Sequence, residues 1–342
     1  MTQGAAVVTG GAGFIGSHLV EHLLGLGRAV TVVDDLSTGR LENLAAVQAH
    51  ANLRLLQADA GQTLSEPGFL DHADEVYHLA ATVGVKRVVD DPAGMIQNNL
   101  TDTARVLHAC ADAAAPPRVL LASTSEVYGR STDLPLREDG DLLFGPTSAS
   151  RWAYGMSKAL AEHAAVALGR QRGLAVVAVR FFNVVGPRQV GTYGMVTPRF
   201  VAKAVQGQPL ELYGNGQQSR TFCDVSDIVA ALPELLACPQ AAGLAVNLGS
   251  DRPITIEALA ALILHRARAA GALGASEGQT RRVAYEAVYG EGFEDTPSRL
   301  PHLGRARGLI GFDPQTTLEQ TVDRLIRLEL DARTPLPDHP TR

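Results

Sequence analysis

The stretch TGGAGFIGSHL, residues 9 to 19, decides how this chain is read. Its glycines satisfy G-x-x-G-x-x-G through Gly10, Gly13 and Gly16, and G-x-G-x-x-G through Gly11, Gly13 and Gly16. Glycine suits such a turn for three reasons. The exit from a strand can take up positive φ, a pyrophosphate needs close approach of bare backbone, and the following helix must pack tightly on its strand. The phosphates then face a helix N-terminus, whose free N–H groups and dipole favour negative charge. The apolar run AAVVT (5 to 9) precedes the motif, and Ile15, Leu19 and Leu23 follow it at i, i+4 spacing. Asp34 closes a second apolar run about twenty residues on, where a carboxylate accepts from ribose hydroxyls and repels a 2′-phosphate. NAD is therefore expected rather than NADP, although Arg40, nearby in sequence, would suit the phosphate.

Outward from this motif, short apolar runs alternate with stretches of helical period. AVTVVD (29 to 34), LRLLQ (53 to 57), DEVYHLA (74 to 80), RVLLAS (118 to 123) and LAVVAVRFF (174 to 182) continue the series. Strands buried on both faces are almost continuously apolar and need crossover helices between them, so the pattern predicts an α/β fold with a Rossmann-type, doubly wound parallel sheet. After about residue 185 the texture shifts to shorter segments broken by Gly and Pro, such as GPRQVGTYGMVTP and GQPLELYGNGQQSRTF. The expected division is 1–184 for the NAD-binding domain, 185–332 for a smaller α/β substrate domain with some chain crossing back, and a frayed tail over 333–342.

Composition narrows the function classes. The 342 residues carry a net charge of -6 with 19% charged residues, which gives no general attraction for nucleic acid or anionic membrane. The three cysteines, Cys110, Cys223 and Cys238, form neither a disulfide framework nor a zinc pattern, and a reducing compartment fits. The N-terminus shows no basic n-region, and no apolar run reaches about 18 residues, so a cytoplasmic location without a membrane span is expected. His18 and His78 read as structural, and no metal site is expected.

TSEVYG (124 to 129) and RWAYGMSK (151 to 158) carry the chemistry. RVLLAS delivers Thr124, Ser125 and Glu126 to the C-terminal end of a strand, where open α/β sheets bind ligands. Tyr154 and Lys158 lie one helical turn apart on one face. Bringing a tyrosine from about 10 to about 7 for general-base work means favouring phenolate by roughly 4 kcal/mol. An ammonium one turn away and a positive nicotinamide ring can supply that bias.

Together these features resemble the extended short-chain dehydrogenase/reductase superfamily, in particular its NAD-dependent nucleotide-sugar epimerases, dehydratases and decarboxylases. RFFNVVGPR (180 to 188), YGMVTPRFV (193 to 201), LYGNGQQSRTFCDVSDI (212 to 228) and NLGS (247 to 250) extend the resemblance over nearly the whole chain. The resemblance implies that Tyr154 is the base at a sugar hydroxyl. Lys158 holds the nicotinamide ribose and lowers the tyrosine pKa, and Thr124 shares the hydrogen bond to the reacting oxygen. It further implies cofactor contacts from Gly10, Gly13, Phe14, Ile15, Gly16, Asp34, Asp35, Ser37, Asp59, Ala60, Leu79, Ala80 and Ala81. Asp59 is equally suited to capping a helix, as are Asp35 and Ser37. Substrate contacts are implied for Asn99, Asn183, Arg220 and Arg299, and more weakly for Arg188, Arg199 and Tyr213.

Oxidation of a sugar at C4 opens three outcomes: epimerisation, dehydration and decarboxylation. Family dehydratases place Asp before the Glu that follows the strand-end Thr, whereas this chain has Ser125, so dehydration is disfavoured. Thr124-Ser125-Glu126 resembles the triplet of UDP-glucuronate decarboxylases. RWAYGMSK, YGMVTPRFV and YGEGFEDTPSRLP look more like UDP-sugar 4-epimerases, including those acting on glucuronate. The expectation is thus a UDP-sugar 4-epimerase, with a UDP-glucuronate decarboxylase as the alternative. A silent NAD-sensing regulator would have no need of Tyr154, Lys158 and Thr124 together. The stretches from about 93 to 114 and 152 to 170 are Ala-rich helices that the resemblance would pair into a four-helix homodimer interface, and the loop Arg130 to Ser150 could close over the sugar.

Overall fold

Val7 and Val8 are both buried yet enter different apolar clusters, one on each face of the sheet, because successive strand side chains point to opposite sides. A strand covered twice must be apolar throughout, and that is why the runs were legible. The computed structural model describes residues 4–81, 91–191, 195–273, 278–289 and 295–333. The tail beyond Arg333, residues 193–194 of YGMVTPRFV and residues 290–294 of YGEGFEDTPSRLP lie outside them.

The first part of the chain runs β1 (Ala5–Thr9), α1 (Phe14–Gly25), β2 (Ala29–Asp34), β3 (Leu53–Gln57), α2 (Ala60–Leu64), β4 (Glu75–His78), α3 (Pro92–Asp112), β5 (Arg118–Thr124), α4 (Ala153–Arg172) and β6 (Val176–Phe181). It continues through β7 (Val184–Val185), α5 (Val196–Val205), β8 (Leu210–Tyr213), β9 (Ser219–Thr221), β10 (Cys223–Asp224), α6 (Val225–Ala237), β11 (Ala245–Leu248), β12 (Pro253–Thr255), α7 (Ile256–Ala269) and β13 (Thr280–Val283). Helices α8 (Tyr285–Tyr289), α9 (Gly304–Ile310) and α10 (Leu318–Asp331) follow.

Seven strands form the central sheet in the order β11-β6-β5-β4-β1-β2-β3, and every neighbouring pair is parallel. From β1 the chain moves outward to β2 and β3, then returns to place β4 on the other side. The C-terminal ends of β1 and β4 therefore flank the switch point where such sheets bind ligands. Leu19, Leu23 and Leu232, from α1 and α6, cover one face, while Val106, Leu107, Ala161 and Ala165, from α3 and α4, cover the other.

The strand β11 was not expected. AVNL is four residues long in a stretch broken by glycine, and pairing with β6, Ala245 opposite Ala178, is what makes it a strand. A third apolar cluster joins Phe200, Leu259, Ile263 and Val322 of α5, α7 and α10, beside the small ladders β8–β13, β9–β12 and β7–β10. Among the described residues, no helix is long and apolar enough to cross a membrane.

Candidate active site

The glycine turn is built by contact. Gly10 has φ +69°, and a Cβ there would stand 2.8 Å from the Ala80 amide nitrogen. A Cβ on Gly16 would collide with the Gly10 carbonyl oxygen. Gly13 caps α1 and donates its amide to Gly10 O at 3.1 Å. Asp34 is buried, and its carboxylate accepts from the amides of Ala12 and Leu36, each at 2.9 Å. It thus ties the glycine turn to the end of β2. Burial pushes its pKa up, and the two backbone donors pull it back.

One cavity of about 520 Å³ runs from this turn past the end of β5 to Arg220 and Arg299. Phe14, Ile15, Asp35, Ser37, Asp59, Ala60, Leu79, Ala80 and Ala81 line it. The helix-capping role weighed for Asp59 is realised, whereas Asp35 caps no helix and only closes a loop turn. Asp59 Oδ1 accepts from Gln62 N at 2.7 Å at the start of α2, and Asp35 Oδ1 accepts from Ser37 N at 2.9 Å. A bare-backbone cradle, a helix N-terminus and a buried carboxylate at the end of β2 fit NAD.

At the other end, β5 delivers Thr124, Ser125 and Glu126, and α4 delivers Tyr154 and Lys158, to the same wall. The Thr124 hydroxyl accepts from Glu126 N at 3.2 Å, capping the turn Ser125–Tyr128. Lys158 is 2% exposed and donates Nζ to Ala122 O at 3.1 Å. Burial pulls its pKa down to about 8, while the Glu162 carboxylate one turn on pulls upward. Glu162 is itself held by Arg180 in a two-point pair, with Nη2 to Oε2 at 2.7 Å, and by the Ser123 hydroxyl.

Two expectations need correction. The Tyr154 phenol is pushed up in the free protein, not down: burial acts first, the Glu126 charge adds to it, and the Thr124 hydrogen bond opposes. Arg188 does not line the cavity. Its guanidinium bonds Glu21 Oε1 at 2.5 Å and Ser17 Oγ at 3.2 Å on α1, so it docks the second half of the chain onto the first.

The remaining expected residues converge. Asn99 reaches the cavity from α3, and Asn183, at φ +33°, donates Nδ2 to Thr221 O at 2.9 Å. The Arg199 guanidinium lies 4.1 Å from the Tyr213 ring centroid, and both line the cavity. Arg220 bonds Asp295 Oδ1 at 2.8 Å, and Tyr285 Oη holds the other oxygen of Asp295 at 2.7 Å. Arg299 grips Glu126 with both terminal nitrogens, Nη2 to Oε2 at 2.9 Å, and Arg151 Nη1 meets the same Oε2 at 2.6 Å. Burial alone would raise the Glu126 pKa, but the two guanidiniums outweigh it and hold the carboxyl well below its usual range.

The loop from Arg130 to Ser150 is pinned at its middle rather than hung as a lid. Leu136 is buried, donates its amide to Leu300 O at 2.7 Å and accepts from His302 N at 2.9 Å. Asn247 on β11 adds Nδ2 to Leu136 O at 3.0 Å and accepts from Tyr128 Oη at 2.8 Å.

The chain matches the model of the NAD dependent epimerase/dehydratase family over residues 6–249. It belongs to that family. This NAD-dependent epimerase/dehydratase family enzyme is 36% identical over 322 residues to a UDP-N-acetyl-alpha-D-glucosaminuronate decarboxylase of Bacillus cytotoxicus, covering 94% of this chain and 96% of that one. It is 33% identical over 320 residues to UDP-glucuronic acid decarboxylase 1 of Xenopus tropicalis, covering 94% of this chain and 70% of that one. Among solved structures it resembles a UDP-N-acetylglucosamine 4-epimerase of Methanobrevibacter ruminantium, in complex with UDP-N-acetylmuramic acid. The TM-score is 0.83 at 28% identity, covering 97% of this chain and 100% of that one. The expectation that put 4-epimerase ahead of decarboxylase is therefore supported only at the level of this family, and the curated relatives favour the alternative.

Sequence reasoning about this family member passed over Arg151 and Asp295. Arg151 had a legible signal, since a residue three before Tyr154 enters the same helix start and faces the same wall. Asp295 had none, because its partner Arg220 lies 75 residues away.

Proposed function

We propose that this enzyme is a UDP-hexuronate decarboxylase that oxidises the sugar at C4 and releases C6 as carbon dioxide. The observation that carries the reading is Glu126 held between Arg299 and Arg151 on the wall that also bears Tyr154 and Thr124. A cationic wall beside the reacting sugar suits a substrate carboxylate, and guanidinium forks bind carboxylates at two points. Two-point capture at C6 also resists the sugar rotation that 4-epimerisation requires. The similarity to two UDP-uronate decarboxylases over 94% of the chain supports the same choice.

Bound NAD would supply a hydride acceptor for C4 and a positive ring beside the phenol. Tyr154 takes the O4 proton as the hydride leaves, with the Thr124 hydroxyl sharing the hydrogen bond to O4. Lys158 holds the ribose side of the site from the floor of β5. The new C4 ketone is β to the C6 carboxylate, so the C5–C6 bond breaks with its electron pair delocalised onto O4, and carbon dioxide departs. A proton adds at C5, the hydride returns to C4, and Tyr154 gives back its proton to O4. The sum is hexuronate plus one proton to pentose plus carbon dioxide, with no net redox change. Arg220, Arg199 and Tyr213 line the region assigned to the nucleotide and its diphosphate.

Proton NMR of the purified protein with UDP-glucuronate and NAD tests the reading. A pentose spin system with release of carbon dioxide supports it. UDP-galacturonate with its carboxylate retained would instead establish the 4-epimerase.

The same reading extends to a homodimer through α3 and α4, which pack on each other. Leu160, 54% exposed, lies with Ala164 and Ala167 on the outer face of α4.

A further inference from the structure

The segment after β2 closes over the glycine turn. Gly39 passes directly against the Asp34 carboxylate, and a Cβ there would stand 2.8 Å from both of its oxygens. The backbone amide of Arg40 then donates to Ala12 O at 3.0 Å, and Asn43 Nδ2 donates to the same oxygen at 2.8 Å. With Ala12 N bonded to Asp34 Oδ2 at 2.9 Å, the buried Ala12 is gripped at its amide and at its carbonyl from this one stretch of chain.

Asn43 reaches inward because its own turn is rooted. It lies in the short helical turn Leu41–Leu44, and its backbone amide donates to Arg40 O at 3.0 Å. Leu44, the next residue, is buried in one apolar cluster with Leu19 and Leu23 of α1. The Asn43 carboxamide thus comes from a fixed base and is half-buried, so water competes for its bond only in part.

The carbonyl that Asn43 holds decides how α1 begins. A trans peptide points its C=O and its N–H in opposite directions. Fixing Ala12 O on the Asn43 side therefore sends the Gly13 N–H the other way, onto Gly10 O at 3.1 Å. Gly13 is the residue before α1, and its carbonyl accepts from Ser17 N at 3.0 Å. The amides of Phe14, Ile15 and Gly16 come next. The first amides of a helix have no partner inside it, and these three residues line the cavity. Such amides are the donors that a pyrophosphate uses, and they bind it best when their directions are set beforehand.

We infer that Asn43 is a positioning residue of the cofactor site: through Ala12 O, its carboxamide sets the direction in which the first amides of α1 meet the pyrophosphate of NAD. The inference concerns the cofactor end of the cavity and stands apart from the decarboxylase reading.

Calorimetric titration of the full chain with NAD and with ADP tests it, using Asn43→Ala and the isosteric Asn43→Asp. Asn43→Ala should weaken NAD by about fivefold, the net worth of one hydrogen bond, and should weaken ADP by the same factor, because ADP keeps the pyrophosphate and lacks the nicotinamide. Asn43→Asp keeps the shape but turns an acceptor toward Ala12 O, so its loss should be at least as large. NAD affinity that stays at the parent value in Asn43→Ala would overturn the inference. Parent affinity in Asn43→Asp would also overturn it and make Asn43 a packing residue. A loss for NAD without one for ADP would place its effect away from the pyrophosphate and overturn it as well. Asn43 is half-buried, so Asn43→Ala should fold, and it decides the matter by itself if Asn43→Asp does not.

Discussion

Glu126 and Arg299, 173 residues apart in the chain, meet in a two-point ion pair on the cavity wall, with Nη2 to Oε2 at 2.9 Å. The pair joins the turn after β5 to the segment that Leu136 and Asn247 anchor, so the halves of the chain are locked together at the candidate site.

Glu126→Gln removes the carboxylate and leaves two guanidiniums facing one amide. Breaking a buried pair from one side costs about 3 kcal/mol, measurable as a lower denaturation midpoint. The same change frees Tyr154 from the anion that pushes its phenol up. Oxidation at C4, followed by nicotinamide absorbance in a single turnover, should continue, because Tyr154 and Thr124 are retained.

In the proposed reaction Lys158 holds the ribose side of the site as an ammonium, and burial brings its pKa down to about 8 in the free protein. A lysine is charged below its pKa, so the rate should fall as pH rises through about 8. Glu162 is the group that raises this value, and Glu162→Gln should move the alkaline limb to lower pH. A pH profile of kcat/KM that keeps the limb in place would separate Glu162 from Lys158.

Two glycines of α1 make a paired test. Gly16→Ala drives a Cβ into the Gly10 carbonyl oxygen and should destabilise the protein by about 2 kcal/mol and cut NAD affinity sharply. Gly25→Ala meets nothing within 4 Å and should be neutral or stabilise by up to about 1 kcal/mol. Thermal unfolding with and without NAD reads both.

Leu160→Arg places a charge in the middle of the exposed face of α4. If that face pairs with its copy, sedimentation should show a dimer for the parent chain and a monomer for the variant, with the fold intact by circular dichroism.

Much of this protein was determined locally by the sequence. Strands β1, β2 and β3 fall on AAVVT, AVTVVD and LRLLQ, because a strand covered on both faces has to be apolar and its neighbours in sequence are its own evidence. The glycine turn, the strand end at Thr124 and the one-turn spacing of Tyr154 and Lys158 are likewise short-range facts, set by sterics and helix geometry within a few residues. What the tertiary structure decided lies at long range. AVNL becomes a sheet strand only when β6 offers it hydrogen-bond partners, and Arg188 turns to α1 because Glu21 stands there. The Tyr154 phenol is pushed up because folding buries it and brings the Glu126 charge near. Pairing of charges and loss of water depend on which surfaces meet after the chain is packed, and no pattern of neighbouring residues encodes that.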